Sequence, residues 1–371
     1  MINIKETFLT LTKRRYPNKS EHLAMDLVKD MLPDVTFEKD EFDNYYTYIP
    51  KADGTDSDTM FTSHLDTVNS GPGGYYSGKK WNSETKQYDV DPDAKVDDLS
   101  VNHVMDGDFV KTDGESNLGA DDKAGTTIMI NMISEKVPGL YYFFQGEESG
   151  CLGSSSLAKV FDSKGHPTMN KCISFDRRGY DSIITEQTSV CASDEFAKEL
   201  AERLNEYGFW FKPDPTGVYT DSAEFTHVIS ECSNISCGYF SEHTKSEKQD
   251  LEFLELLGIV CTQIDWETLP IVRDKDKSYS GKKSRASYGR YGGWNDWEDY
   301  TGGYYGGGSQ YGGNGKKSKS SFSSNTTPVG KTFTDDGDGL KEVKSSSTVD
   351  FDFDKWYGEQ KTKSWETTPG S

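Results

Sequence analysis

The sequence is poor in several things at once. Its 371 residues include six cysteines, Cys151, Cys172, Cys191, Cys232, Cys237 and Cys261, with no CxxC pair and no spacing of a disulfide framework. Reduced thiols in a cytoplasmic protein are therefore the expected state. Hydrophobic residues make up only 33%, and no apolar run has the length to span a bilayer, so no membrane partner is expected. The opening residues, MINIKETFLTLTKRRYPNK, put their basic residues after the apolar ones, the reverse of a signal peptide. Basic residues are also in deficit, 41 Lys and Arg against 62 Asp and Glu, for a net charge of −21. That balance argues against bulk binding to nucleic acid or to an anionic membrane surface.

The shortage of apolar residues is concentrated at one end. From about Ser278 onward the chain has glycine, serine and aromatics but no apolar periodicity, and such a segment cannot bury enough surface to offset its ordering entropy. The expectation is one globular domain, 1–277, followed by a disordered tail, 278–371. Within Tyr279–Gly315, tyrosines and tryptophans recur between glycines, with Arg285 and Arg290 among them. Stacking and cation–π contacts to a partner are one use for this pattern; a flexible solubilising tail is the plainer one. Thr348–Gln360 alternates acids with aromatics, as a short docking motif does.

The first 277 residues alternate between helix and strand patterns. Asn18–Pro33 carries Ala24, Leu27, Val28 and Met31 at helical spacing, with Asn18 or Ser20 as cap. Two strand-like runs follow, Asn44–Pro50 and Asp58–Asp66, and then a long polar insertion, 69–114, read as a surface loop or small hairpins. A helix begins near Asp122, Leu140–Gln145 and Lys171–Asp176 read as buried strands, and Ser154–Phe161 as a short helix. Ser193 caps a helix with an apolar stripe ending at Gly208. Asn234–Phe240 reads as a strand, and Asp250–Pro270 as a closing amphipathic helix. The fold class this predicts is α/β, a three-layer α/β/α arrangement on a mostly parallel central mixed sheet. Ligands of such sheets gather beyond the carboxyl ends of the strands.

Those strand ends are where the unusual residues fall. Apolar runs terminate in His64 and Asp66, in the adjacent pair Glu147 and Glu148, and in Asp176; Asp121 and Asp122 sit at a loop-to-helix junction and His243 beyond the last strand. Taken singly, each is explained by a cap or a solvated edge. Together they would bring uncompensated carboxylates to one buried face, which is costly unless cations neutralise them. Imidazole and carboxylate donors suit zinc, with manganese or cobalt as alternatives. In a two-metal site one carboxylate bridges and a non-ligating one serves as base, which gives the two adjacent glutamates separate tasks.

In order along the chain, HLD, GADDKAG, GEESG, the Asp176 strand end and EHTKSE resemble the co-catalytic zinc exopeptidases, the M28 aminopeptidases and M20 peptidases such as tripeptidase T. DGESNLGADDKAG is similar to tripeptidase T, and the segment from Tyr219 to Glu247 to the single-domain M28 type. The resemblance implies two zinc ions per chain: His64 and Asp176 on one, Glu148 and His243 on the other, Asp121 bridging. It implies Glu147 as general base, Asp66 as the residue that orients the His64 imidazole, and a cis peptide at Asp121–Asp122. Tyr219 is the nearest match to a tyrosine that stabilises the tetrahedral intermediate, and a packed loop aromatic is an equal reading. Arg177 and Arg178 are read as pairing with local acids rather than with a substrate carboxylate. Only Arg177–Glu242 separates the aspartate ligand from the last histidine, which leaves no room for the M20 lid; the insertion remains as the segment that could restrict the cleft. The implied activity is an aminopeptidase acting on peptides. An amidohydrolase or deacylase of small amides is the alternative within the same chemistry, and a non-catalytic scaffold whose tail binds a partner the alternative outside it.

Overall fold

Thr59–His64, Gly139–Phe144 and Glu231–Ser236 are buried at every position, the mark of strands covered on both faces. In the computed structural model they lie in one eight-stranded sheet. The structure describes residues 2–68, 99–277 and 279, with the backbones of Lys79–Asn82, Gln87–Val90, Thr326–Thr327, Lys331–Asp335 and Leu340–Val343. The remainder of the insertion read over 69–114 and of the tail read over 278–371 lies outside the described residues. Of those backbone segments, the first two pair as a hairpin and the last three as a small antiparallel sheet.

We number the strands of the large sheet β1 (Glu38–Lys39), β2 (Tyr45–Ile49), β3 (Thr59–His64), β4 (Gly139–Phe144), β5 (Lys171–Arg177), β6 (Ser182–Ile184), β7 (Lys212–Asp214) and β8 (Glu231–Ser236). Their spatial order is β1-β2-β4-β3-β5-β8-β6-β7. The central four, β4, β3, β5 and β8, run parallel, and antiparallel pairings at β2–β4 and β8–β6 flank them. The helices are α1 (Ile4–Leu11), α2 (Glu21–Met31), α3 (Ala120–Ser134), α4 (Leu152–Ala158), α5 (Asp194–Asn205), α6 (Asp221–Glu224) and α7 (Leu251–Val260). One apolar cluster joins α1, α2, α3, α5 and α7 to one face of the sheet, and a second, with Leu157, Phe161 and Phe225, covers the other. The three-layer α/β/α fold expected from the sequence is the fold observed.

Hydroxyl side chains inside the strands are satisfied by one another, as burial requires: Thr62 meets Ser174 at 2.7 Å and Ser63 meets Thr126 at 2.8 Å. That keeps α3 close to β3 and β5. Gly125 makes the approach possible, because a Cβ there would lie 2.3 Å from the Phe175 carbonyl.

Several elements depart from the sequence reading. The closing helix stops at Val260 and is buried on nearly all sides, so it is a packed rather than an amphipathic helix. Asn234–Phe240 is broken at Gly238, whose φ of +83° turns the chain. Beyond that turn Tyr239–Phe240 joins Lys248–Asp250, Phe109–Thr112 and His103–Asp106 in a second, four-stranded sheet. Residues 177–242, all described, hold strands of the large sheet, the short hairpin of Glu186–Gln187 and Ser189–Val190, α5, α6 and Tyr239–Phe240 of the second sheet, with no inserted lid domain.

Candidate metal centre

Each strand end supplies a ligand type because the chain leaves the sheet there. His64 is the last residue of β3, Asp176 is near the end of β5, and Glu147 and Glu148 form the 3-10 turn just after β4. Asp121 sits where the chain enters α3, with non-helical angles and a cis peptide to Asp122. His243 is carried by the turn between Tyr239–Phe240 and Lys248–Asp250. Every ligand candidate named from the sequence meets the others at this edge.

The distances divide the cluster into two groups that share Asp121. His64 Nε2 is 3.0 Å from Asp121 Oδ1 and 3.8 Å from Asp176 Oδ1. His243 Nε2 is 3.1 Å from both Asp121 Oδ2 and Glu148 Oε1. In each set, His64–Asp121–Asp176 and Asp121–Glu148–His243, the ligand atoms lie within 4.8 Å of one another. Two donors on one tetrahedral zinc at 2.0–2.1 Å stand roughly 3.3 Å apart, so these spacings fit such an ion. Glu148 Oε1, on a buried carboxylate, faces His243 Nε2 directly, and a cation between them would be shared by both. Glu147 Oε2 is 3.9 Å from His64 Nε2, and the ligand atoms of His64, Glu147 and Glu148 also lie within 4.8 Å of one another.

Asp66 lies beneath this array, fully buried. Its two oxygens accept the Glu147 and Glu148 N–H groups at 3.1 and 3.2 Å, and Oδ1 is 3.4 Å from His64 Nδ1. His64 Nδ1 also lies 3.1 Å from the Asp66 carbonyl oxygen, so one buried residue touches the imidazole and both glutamates. Asp176 is held through its backbone by Asn234 at 2.7 and 2.8 Å, and through its carboxylate by Thr220 at 2.5 Å and Tyr239 at 3.0 Å. Cys151 directs its thiol at Glu147 Oε1 across 3.7 Å.

One residue the sequence reading passed over stands out. Glu247, the last residue of EHTKSE, is fully buried and accepts the N–H groups of Leu118, Gly119 and Asp121 at 2.8, 2.8 and 3.1 Å. Its spacing from His243 was visible; nothing local marked it for burial. Asp122 was left without a role, and its carboxylate caps the start of α3 through Gly125 and accepts the His64 N–H.

The mutual electrostatics of the cluster favour protonation of most of its members. Burial pushes Glu147 and Asp176 well above the carboxylate range and raises Glu148 too, and neighbouring carboxylates add to each. Burial likewise pushes Asp122 up to about 8. Burial opposes charge on His243, yet Asp121 and Glu148 push it up to about 12. Asp121 goes the other way: burial resists its ionisation, but the two histidines together hold it well below the usual range.

The remaining predicted residues border the cleft. Tyr219 is half-exposed there, and burial and the neighbouring Glu224 carboxylate both raise its hydroxyl's pKa. Arg177 binds Thr216 at 3.3 Å and stands 3.6 Å from Asp214, and Arg178 pairs with Glu242 at 2.8 Å. Both arginines are paired with local groups, as the sequence reading favoured.

No protein-family model and no curated protein sequence matches the chain. Solved structures do. The aminopeptidase PepT of Bacillus cereus superposes with a TM-score of 0.51 at 14% identity, over 70% of this chain and 96% of that one. The TET1 peptidase of Pyrococcus horikoshii gives 0.53 at 15%, over 70% and 98%. A tripeptidase of Staphylococcus aureus gives 0.51 at 15%, over 70% and 96%. At such identity it is the architecture that is shared: the chain has the fold of these peptidases.

Proposed function

We propose that the chain is a metal-dependent exopeptidase that releases residues from the amino end of peptides. The observation that carries this reading is the pair of ligand sets joined at Asp121, with Glu147 beside them. His64 and Asp176 would hold one zinc ion, Glu148 and His243 the other, and Asp121 both. When bound, the ions would polarise the scissile carbonyl and lower the pKa of water. Glu147 would take the proton of the attacking water and pass it to the leaving amine as the C–N bond breaks. Its burial supports that task, because a carboxylate with a raised pKa is a stronger base than an exposed one. Asp66 keeps the Glu147–Glu148 turn and the His64 imidazole in register. Tyr219 would have to turn its hydroxyl from Glu224 to reach an oxyanion, so its part in that step has the weaker support.

A digest of a defined peptide mixture by zinc-loaded protein, read by mass spectrometry against a chelated control, tests the reading. Ladders shortened from the amino end and abolished by the chelator are expected. Intact peptides with two metals bound would transfer the site to another small amide. Intact peptides with no metal bound would leave a scaffold.

A further inference from the structure

Asp66 fixes the Glu147 backbone, which leaves the carboxylate of the proposed base to be placed by something else. Its two oxygens have different neighbours. Oε2 faces the ligand cluster, 3.9 Å from His64 Nε2, whereas Oε1 accepts the Cys151 thiol across 3.7 Å. A buried cysteine is ordinarily a small apolar filler and a weak donor, so this contact has to be weighed with what lies behind it.

Behind it is a buried polar chain. The Cys151 carbonyl accepts the Ser154 hydroxyl at 3.2 Å and the Ser155 N–H at 2.9 Å, and the Ser154 hydroxyl also meets the Asp221 carboxylate. Ser154 and Asp221 are both buried, and Asp221 opens α6 directly after Thr220, whose hydroxyl binds Asp176. Glu147 is thereby linked through Cys151, Ser154 and α6 to a strand end that supplies a metal-ligand candidate. The Cys151 N–H closes the turn on the Glu147 carbonyl at 2.9 Å, so its backbone is tied on both sides. It holds φ +53° and ψ +42°, the left-handed region that glycine occupies freely and side chains resist. The same turn uses glycine for that conformation at Gly146 and Gly150; at 151 it keeps a side chain, the one that reaches the base. Burial, followed by the Asp221 and Glu147 carboxylates, pushes the pKa of the thiol up, so it retains the proton it donates.

We propose that Cys151 is a positioning residue for the general base: its thiol holds Glu147 Oε1 and leaves Oε2 turned towards the metal centre to take the proton of water. This rests on the reading of Glu147 as base. A carboxylate with one oxygen tied has less to search before proton transfer, and the gain should appear in kcat rather than in binding.

The test uses the full-length, zinc-loaded chain and the peptide cut fastest in the digest described above. Cys151→Ala is expected to lower kcat by about three- to tenfold, with KM and zinc stoichiometry unchanged. Cys151→Ser, which restores a donor, should recover most of the loss. Cys151→Gly separates positioning from packing: it suits the backbone angles, so its Tm should exceed that of Cys151→Ala while its kcat stays as low. Full kcat in Cys151→Ala, Cys151→Ser no better than Cys151→Ala, or zinc lost along with turnover would overturn the proposal. So would kcat values that follow Tm across the variants. Should no peptide be cleaved, the reading of Glu147 as base fails. The infrared S–H stretch of Cys151, assigned by its absence from Cys151→Ala, then still decides the contact. A band moved to higher wavenumber in Glu147→Gln upholds the tie; a band indifferent to that substitution overturns it.

Discussion

Two neighbouring glutamates end up in different situations although the chain treats their backbones alike. Asp66 accepts both N–H groups, but Glu148 points at His243 and Glu147 at His64 and the Cys151 thiol. Substitution should separate them. Glu147→Gln keeps the shape of the side chain and removes the base, so turnover is expected to fall by roughly 10²–10⁴-fold with both metals retained. Glu148→Ala removes a ligand, so metal stoichiometry itself should drop. Metal analysis alongside kinetics distinguishes the two, and full activity in Glu147→Gln would reassign the base. These residues were legible because they sit in short motifs at the ends of apolar runs. Glu247 was not, because a glutamate among Lys245, Ser246 and Lys248 carries no local sign of burial. Its partners are N–H groups on a loop more than a hundred residues earlier in the chain.

The elements that could be read from the sequence were those whose signal is local. The continuous apolar run of β4 announces a strand covered on both sides. The stripe of Phe196, Leu200 and Leu204 announces α5, and Ser193 caps it through the Phe196 N–H at 3.1 Å. The four-stranded side sheet had no such signal: its strands have two to four residues, and Phe109–Thr112 pairs with Lys248–Asp250 across the length of the domain. Nor was α1 identified, although Ile4, Phe8 and Leu11 recur at helical spacing, because eight residues give too short a periodic stretch. The side sheet matters to the site, since it flanks the turn that carries His243 and, through Glu247, clamps the Leu118–Asp121 approach to α3. Glu247→Ala leaves three buried N–H groups without their acceptor, at a cost of roughly 1–3 kcal/mol each if water cannot reach them. Weaker metal binding with the rest of the fold intact is the expected outcome, measured as zinc affinity beside the far-ultraviolet circular dichroism. Unchanged affinity would confine Glu247 to a structural role.

For the whole molecule, protonation and metal loading should oppose each other. His64 and His243 have pKa values raised by their carboxylate neighbours, against the effect of burial. A group raised in the folded state stabilises below its unfolded value and loses that contribution as pH climbs towards the folded one. Between pH 6 and 8 both histidines therefore make the metal-free domain less stable as pH rises. Glu147 and Asp176, raised well above the carboxylate range by burial, act in the same direction. Asp121, held low, is fully charged throughout this window and contributes no slope. Ligation requires these protons to leave, so the gain in Tm on adding zinc should be larger at pH 8 than at pH 6, with proton release seen by calorimetry. An equal gain at both values would mean that the cluster is not the binding site. Removing 278–371, which carries none of the ligand candidates, should leave turnover of small peptides unchanged; a collapse would show that the tail completes the cleft.

The two histidines also differ in depth: the His64 side chain is 1% exposed and that of His243 is 42% exposed. An ion held by Glu148 and His243 would lie nearer to solvent than one held by His64 and Asp176. Stripping by a chelator should then proceed in two kinetic phases, the outer ion first. The half-loaded intermediate would be a species that can be isolated, with a single metal on His64 and Asp176.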